Sequence, residues 1–271
     1  MRKRPSCSII VSTYNTPEYL IRTLQTIAIQ HVLPNEIVIA DDGSDERTQQ
    51  VIEQFRVNAP IPVVHVWHPD EGFRLAAIRN KAIAAASGEY IIVIDGDILL
   101  NKYFVYDHLR FAKHGCFTAG KRTLLTEKAT TTYLQNNNLP LPSFWSSAIR
   151  SRSHTPRCRL LSQLFSYLPQ SSKAYLYVIG CNMAFWKKDL MSINGYNEAF
   201  KGWGKEDNDI AARLCNLGIK LRFLQFQAIL FHLYHPENTR NKVSMNIELL
   251  QESVDKKITH VQQGIYKTDT A

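Results

Sequence analysis

The sequence predicts an α/β domain built on a mostly parallel β-sheet. Short apolar segments rich in Ile and Val alternate with segments of helical spacing up to Leu100, and three of the apolar segments end in clusters of polar residues. Ligands of such sheets bind beyond the carboxyl ends of the strands, at a switch in strand order. The 271 residues, 45% of them hydrophobic, are enough for one large domain, and no apolar run is long enough to span a bilayer.

The strand and helix segments follow each other in regular order. Four segments are apolar, β-branched and of strand length. The predicted strands are residues 8–12, 36–40, 63–67 and 90–95. The intervening segments have helical spacing of their apolar residues or are rich in alanine. The predicted helices are residues 17–30, 45–55 and 75–86, with Thr16 and Ser44 as N-caps of the first two and Gly88 closing the third.

Two carboxylates follow the fourth strand in the sequence IDGD. Asp95 and Asp97 are two residues apart, so on an extended chain both side chains point the same way, and Gly96 lets the backbone approach closely. Carboxylate oxygens at this spacing suit Mg²⁺ or Mn²⁺ carrying a phosphate. A solvated turn after a strand is the alternative interpretation, and the pattern alone does not separate the two.

The first strand is followed by STYNTP, which contains no glycine. A dinucleotide-binding domain needs glycines there for close approach to a pyrophosphate, so that function is not favoured, and a P-loop is absent as well. Residues outside this loop must then bind any phosphates of the ligand. A metal on Asp95 and Asp97 would neutralise them, with Arg74 and Arg79 nearby in sequence, although a solvated helix face also explains the two arginines.

Four motifs in order over residues 8–100 resemble the nucleotide-sugar half of a family 2 glycosyltransferase of the GT-A fold. They are SIIVSTYN, EIVIADDGS, GFRLAAIRNKAI and GEYIIVIDGD. The resemblance implies that the first-strand loop and Asp42 hold a uridine, that the basic residue Arg79 contacts the nucleotide, and that Asp97 is the more direct metal ligand. The predicted donor-binding residues are Thr13, Tyr14, Asn15, Asp42, Arg74, Arg79, Asp95 and Gly96.

The second half contains GWGKEDND, in which acids surround a Gly-Trp-Gly turn before a predicted helix. Trp203 between glycines is well placed to lay its ring on a sugar, next to acids that can accept a hydroxyl proton. A favourable interaction with the helix dipole is a sufficient explanation for the presence of Asp209.

This segment resembles the GWGGED motif of β-1,4-galactosyltransferases and bacterial chondroitin-type polymerases. The resemblance implies that Asp207 is the catalytic base and that Glu206 holds a sugar. The predicted acceptor and sugar contacts are Trp203, Gly204 and Glu206. Lys205 replaces a glycine of the motif, which leaves the details of acceptor contact open.

A third cluster lies in AILFHLYHP, where a predicted strand ends at His235. By the same resemblance His235 is a third metal ligand, and an imidazole suits Mn²⁺. His232 is three residues earlier and would point the other way on an extended strand, which makes it the lesser candidate. Packed or solvated histidines are the alternative.

The predicted organisation has three parts. They are a nucleotide-sugar half over residues 1–125, a flexible polar and basic loop over 126–173, and a half over 174–271 with the acceptor site, the base and a helical tail. In the loop, Arg150, Arg152, Arg157 and Arg159 are candidates for contact with anionic lipid or a phosphorylated acceptor, and residues 160–168 for an amphipathic helix on a membrane. A solvated charge run is the alternative.

Together these features predict an inverting, metal-dependent glycosyltransferase. It would move a hexose or N-acetylhexosamine from a UDP-sugar to a hydroxyl of a glycan or lipid-linked acceptor, such as lipopolysaccharide or capsule. The start of the chain has too short an apolar run for a secretory signal, and the five scattered cysteines fit a reducing compartment, so we expect a cytoplasmic location, with the inner face of the plasma membrane as a candidate site within it.

Two other classes of protein fit parts of the sequence. A sugar-phosphate nucleotidyltransferase should carry a glycine-rich loop after its first strand, which STYNTP is not. The net charge of +8 fits a nucleic-acid-binding protein, but that class leaves the DGD and GWGKED motifs unexplained, so no nucleic acid partner is expected.

Overall fold

The structure, a computed structural model, describes residues 4–136, 139–152, 155–166, 171–236 and 243–267. The strands within these ranges are β1 (Cys7–Thr13), β2 (Glu36–Asp41), β3 (Val63–Trp67), β4 (Tyr90–Asp95), β5 (Ile98–Leu100), β6 (Cys116–Ala119), β7 (Thr123–Leu124), β8 (Met183–Trp186), β9 (Lys220–Phe223) and β10 (Leu230–His232). The α-helices are α1 (Pro17–Ala28), α2 (Glu46–Asn58), α3 (Leu75–Ala85), α4 (Phe104–Phe111), α5 (Glu127–Gln135), α6 (Arg159–Ser166), α7 (Lys187–Ser192), α8 (Glu206–Asn216) and α9 (Val243–Asp255). None of these helices has the length and hydropathy needed to span a membrane.

Seven strands form the central sheet in the order β3-β2-β1-β4-β8-β6-β9. The first four are parallel, β8 is antiparallel to both of its neighbours, and β9 is parallel to β6. The order reverses at β1, because β2 and β3 lie on one side of it and β4 on the other. The carboxyl ends of β1 and β4 therefore flank the crevice in which such sheets bind ligands.

Both faces of the sheet are covered. Leu20 and Leu24 of α1 pack on one face, whereas Ile83 of α3 and Ile210 of α8 pack on the other. Every residue of β1 and β2 is buried, as expected for parallel strands enclosed on both faces. The polar side chains at the strand ends are consequently concentrated at one edge of the sheet.

A second sheet has the strand order β5-β10-β7 and begins directly after the DGD turn. β10 runs antiparallel to β5, with His232 opposite Ile98. This pairing brings the histidine segment of the second half next to Asp97 of the first.

Two of the predicted helix caps act differently in the structure. Thr16 precedes α1, but its hydroxyl makes no capping hydrogen bond. Asp45, not Ser44, caps α2 by accepting a hydrogen bond from the backbone N of Thr48 at 3.3 Å. The Ser44 hydroxyl instead accepts from the backbone N of Asn15 at 2.9 Å and so ties two loops of the sheet edge together.

Gly88 does not close α3, which ends at Ala85. A Cβ on Gly88 would lie 2.6 Å from the backbone N of Ser8, and the Gly88 N–H donates to the Ser8 hydroxyl at 2.8 Å. The glycine is required for close packing of this loop against β1.

The middle segment, residues 126–173, contains more regular structure than its polar composition predicts. α5 is capped by Thr126, and its threonines 131 and 132 donate hydrogen bonds back to helix carbonyls. Such bonds satisfy polar side chains without a loop, which is why composition misled here. The amphipathic helix expected over 160–168 is present as α6, and residues 167–168 lie outside the described part. The three-part division of the chain stays a prediction.

Candidate active site

Asp97 lies beside two imidazoles. Its Oδ2 is 3.0 Å from Nε2 of His235 and 3.4 Å from Nε2 of His232, and one ligand atom of each residue lies within 4.8 Å of the others. The Oδ1 of Asp97 is buried and has no hydrogen-bond partner among the residues that the structure describes. An orphaned carboxylate oxygen next to two imidazoles fits a divalent cation such as Mn²⁺. These three residues are the candidate metal centre in the part of the chain that the structure describes.

The inference that His232 points away from the site is wrong. β10 ends at His232 rather than at His235, so the two-residue alternation of a strand does not extend between them. The next residue, Leu233, donates its N–H to the carbonyl of Asp97 at 2.9 Å, and the two imidazole centroids are 5.2 Å apart. Both rings consequently face Asp97.

The contacts between Asp97 and the histidines change the pKa values of His235 and Asp97. The hydrogen bond to Asp97 raises the pKa of His235 to about 9. Although burial pushes in the opposite direction, the neighbouring His232 and His235 hold the pKa of Asp97 below its usual range. Without a metal, the imidazolium of His235 therefore supplies positive charge to Asp97 at neutral pH, and a cation bound to this ring would replace its proton.

Arg79 is a buried cation, 1% exposed, at the centre of a second cluster. Its Nη2 donates to Asp95 at 2.9 Å, its Nη1 to Asp207 at 2.8 Å, and its Nε to the Ser12 hydroxyl at 3.0 Å. The guanidinium carbon lies 5.3 Å from the centroid of the Tyr196 ring. One guanidinium thus joins a carboxylate of the first half to a carboxylate of the second.

Asp95 and Asp97 have different direct partners in the structure. β4 ends at Asp95, and Gly96 and Asp97 form a turn, so the extended geometry behind the prediction stops between the two acids. Asp95 pairs with Arg79, whereas Asp97 contacts the histidines. A Cβ on Gly96 would lie 2.9 Å from the carbonyl oxygen of Ser12, so the close approach is to β1. Asp95 as a metal ligand stays a prediction.

Direct contact between Arg79 and a nucleotide also stays a prediction. In this structure each nitrogen of its guanidinium already donates to Ser12, Asp95 or Asp207. What the side chain does here is hold two carboxylates in place.

Asp207 and Glu206 open α8. A Cβ on residue 180 would overlap Oδ2 of Asp207, so a side chain at this position would displace the carboxylate. Glu206 is 6% exposed, and its Oε2 has no hydrogen-bond partner among the described residues. Burial, followed by the charge on Asp207, raises the pKa of Glu206 to about 8. Glu206 is therefore mostly protonated at neutral pH, whereas Asp207 is paired with Arg79. Divergent environments of this kind assign different roles to neighbouring acids.

Glu206→Gln should remove part of the pH dependence of stability. The folded-state pKa of about 8 lies above the ordinary value of 4.5, so between these pH values the folded protein binds more protons than the unfolded chain. The free energy of unfolding of the wild type should fall relative to that of the variant as pH rises through this range, by at most about 1.4 kcal/mol per pH unit. Urea denaturation of both proteins at several pH values measures the difference, and a difference independent of pH would contradict a buried neutral acid.

The Gly-Trp-Gly turn leaves Trp203 43% exposed beside these acids. The backbone has positive φ at Gly202 (74°), Gly204 (103°) and Lys205 (79°). Asn246 of α9 holds the turn by donating to the carbonyl of Gly204 at 2.8 Å. Left-handed backbone favours glycine by about 1–2 kcal/mol, which gives a physical reason for the glycine that the related motif has at the place of Lys205.

Asp42, which is predicted to bind the donor, lies at the carboxyl end of β2. Its Oδ1 is 2.6 Å from Nε2 of His68, and its Oδ2 accepts from the backbone N of Arg74 at 2.8 Å. The Arg74 guanidinium pairs with Glu71 at 2.6 Å. Arg74 therefore reaches Asp42 through its backbone.

The first-strand loop lies next to Asp42. Thr13 is 6% exposed with its hydroxyl unpartnered among the described residues, and Tyr14 is 45% exposed and donates to Asp70 at 2.8 Å. Asn15 has a left-handed backbone, and its side-chain oxygen accepts from the N–H of Asp45 at 2.8 Å. The loop presents one exposed aromatic ring at the crevice, and the Thr13 hydroxyl is buried behind it.

Sequence reasoning missed four residues that build this site. They are Ser12, His68, Gly180 and Tyr196. His68 directly follows β3, and the rule that located Asp42 after β2 could have found it. The fold brings Gly180 next to Asp207 and Tyr196 next to Arg79, and no local sequence pattern marks either residue.

Comparisons with known proteins agree with this architecture. The model of glycosyl transferase family 2 matches residues 8–167, and a model described as the N-terminal domain of galactosyltransferase matches residues 164–236. The first match covers more than half of the chain, so the chain belongs to glycosyl transferase family 2. Family membership sets aside the nucleotidyltransferase and nucleic-acid-binding alternatives.

The chain is similar to chondroitin synthase from Escherichia coli, with 26% identity over 91% of this chain and 38% of that protein. It thus spans less than half the length of this relative. Among solved structures it resembles S. aureus TarS 1-349 in complex with UDP, with a TM-score of 0.63, 18% identity and coverage of 93% of this chain and 64% of that one.

A further match is the mannosyltransferase PcManGT from Pyrobaculum calidifontis in complex with GDP-Man and Mn²⁺. The TM-score is 0.62 at 16% identity, covering 94% of this chain and 64% of that one. At these identities the structural matches show the fold alone. They confirm the predicted GT-A fold, and the galactosyltransferase and chondroitin synthase matches confirm the resemblance of the second half.

Proposed function

We propose that the protein is an inverting glycosyltransferase that uses a UDP-sugar and Mn²⁺ or Mg²⁺. It moves a hexose or N-acetylhexosamine to a hydroxyl of a glycan acceptor. The observation that carries the proposal is the Arg79 clamp, which holds Asp95, the acid before the candidate metal centre, and Asp207, the candidate base, on one guanidinium. Asp95 lies on the proposed donor side and Asp207 on the proposed acceptor side. Both carboxylates bind the same guanidinium, so the two substrates would meet beside it, as a transfer reaction requires.

Asp97, His232 and His235 would hold the divalent cation, with Asp95 as a further candidate ligand. A bound cation supplies positive charge that stabilises the leaving diphosphate. The orphaned Oδ1 of Asp97 supports this assignment, as does the Mn²⁺ in the complex of the similar mannosyltransferase.

The uridine would lie against the first-strand loop and Asp42. The exposed ring of Tyr14 is available to a ligand, and the UDP in the similar TarS complex supports the choice of nucleotide. Arg74, Arg79, Asn15 and Gly96 complete the proposed donor contacts.

Asp207 would take the proton of the acceptor hydroxyl as that oxygen forms a bond to the anomeric carbon and the bond to the diphosphate oxygen breaks. The neutral Glu206 can both donate and accept hydrogen bonds with the acceptor sugar, and Trp203 can stack on the sugar ring. The hydrogen bond from Arg79 would hold Asp207 in position until the hydroxyl arrives.

The proposed acceptor is a growing surface glycan, such as lipopolysaccharide, capsule or another polysaccharide, in free or lipid-linked form. Similarity to chondroitin synthase supports a glycan acceptor. A lipid-linked acceptor would be met at a membrane, so a cytoplasmic location at the inner face of the plasma membrane belongs to this proposal.

The stereochemistry of the product tests the reaction. With one base and no nucleophile, displacement is a single in-line step, so an α-linked UDP-sugar should give a β-glycoside. Proton NMR of the initial product reads the anomeric coupling of gluco- or galacto-configured sugars directly. An α-product from an α-donor would mean retention and would overturn the role given to Asp207.

A further inference from the structure

α6 turns its apolar side to solvent. The exposed fractions are 74% for Leu160, 41% for Leu161, 66% for Leu164 and 39% for Phe165. Residues three and four positions apart are neighbours on a helix surface, and the pairs 160/164, 161/164 and 161/165 join the four side chains into one surface. The inward position is Ser162, which is 1% exposed. The helix is thus inverted relative to an amphipathic helix that packs its apolar stripe on a core.

Three arginines lie beside the start of this helix, around Tyr106 of α4. The guanidinium carbons of Arg4 and Arg159 are 5.3 Å and 5.2 Å from the centroid of the Tyr106 ring, and Nη1 of Arg110 is 3.5 Å from its hydroxyl. Within the described ranges none of the three arginines has a carboxylate at ion-pair distance. Arg157, by contrast, is neutralised by the buried Asp107 at 2.5 Å.

The body of the protein fixes the position of α6. The backbone N of Cys158 donates to the carbonyl of Phe226 at 2.9 Å, and the Phe165 and Phe226 rings are 5.4 Å apart. Phe226 belongs to the connection between β9 and β10, and β10 ends at His232 of the candidate metal centre. A surface that binds through α6 would therefore hold the active site at a set position.

We propose that α6 and the arginines around Tyr106 form a docking surface for an anionic lipid bilayer, with Leu160 and Leu164 inserted at the boundary of headgroups and acyl chains. Interfacial helices combine an apolar face with basic residues that meet lipid phosphates, and here both features lie on adjoining surfaces. Charge complementarity favours lipid over a protein partner, because three guanidinium groups without carboxylate partners among the described residues surround Tyr106, and one of them belongs to the first residue of α6. The inference deepens the membrane location in the proposed function but needs no glycosyl transfer.

Co-sedimentation with vesicles tests the surface. The full chain should bind phosphatidylcholine vesicles containing about one quarter phosphatidylglycerol, bind pure phosphatidylcholine weakly, and be released as salt rises. Leu160→Ser with Leu164→Ser should weaken binding to the anionic vesicles at least about tenfold, because two inserted side chains are lost. Arg110→Gln with Arg159→Gln should weaken anionic binding and leave the residual binding to neutral vesicles unchanged.

Val57→Ser is the matched control, since Val57 is 82% exposed on α2, beside the opposite edge of the central sheet. It should bind vesicles as the wild type does. Circular dichroism and UDP binding should be the same in all variants, which separates this inference from the proposed reaction. No binding to anionic vesicles, or a dimer in solution that the leucine variant dissociates, would overturn the lipid assignment.

Discussion

Asp97→Ala should weaken metal-dependent UDP binding by at least about 100-fold, beyond the range typical of residues that only support a ligand. The side chain lies in a turn after β4 and contacts His232 and His235, so its removal takes away a ligand and leaves the packing of the sheet in place. Calorimetric titration of UDP with Mn²⁺ present measures the effect, and thermal unfolding checks the fold.

Asp255→Ala is a suitable control, because Asp255 lies at the exposed end of α9, where it accepts a hydrogen bond from Gln251. UDP affinity should be unchanged in that variant. An unchanged UDP affinity in Asp97→Ala with Mn²⁺ present would refute the metal assignment.

Asp207→Asn should retain donor binding and lose turnover by about 100-fold or more, the scale of general-base catalysis. The amide oxygen can still accept a hydrogen bond from Arg79, but it cannot take the hydroxyl proton. Single-turnover transfer to an acceptor, combined with UDP titration, separates chemistry from binding. Transfer at a near wild-type rate would leave Asp207 as an acid of the helix start and make Glu206 the candidate base.

Asp209→Asn provides the contrast within the same helix. Asp209 is fully buried, pairs with Arg213 at 2.7 Å and accepts from the Ser253 hydroxyl at 2.6 Å. Its substitution breaks a buried ion pair and should lower the free energy of unfolding by about 3–5 kcal/mol. The rate per folded molecule should change little, because this acid does not line the crevice.

The first four strands were predictable because their signals are local. β1, β2, β3 and β4 match the predicted segments to within one residue at each end. The antiparallel β8, which lies between β4 and β6, was not predicted. Its position depends on pairing of residues such as Val93 and Met183, which no local pattern encodes.

The same contrast holds at the site. Local spacing indicated Asp97, and the family resemblance indicated Asp207 and His235, but the partners of all three depend on the fold. The periodicity argument failed at the end of β10, because it requires strand geometry to continue.

β4 acquires its two neighbours at different times during synthesis. β1 precedes it in the chain, whereas β8 is translated only after the whole middle segment. Until then, one edge of a strand that is almost entirely buried in the finished sheet carries unpaired backbone groups, which other chains can bind. The ion pair between Arg79 and Asp207 also forms late, because Asp207 lies 128 residues after Arg79 in the chain. A nascent chain therefore has an exposed apolar edge for a chaperone to cover until β8 has left the ribosome.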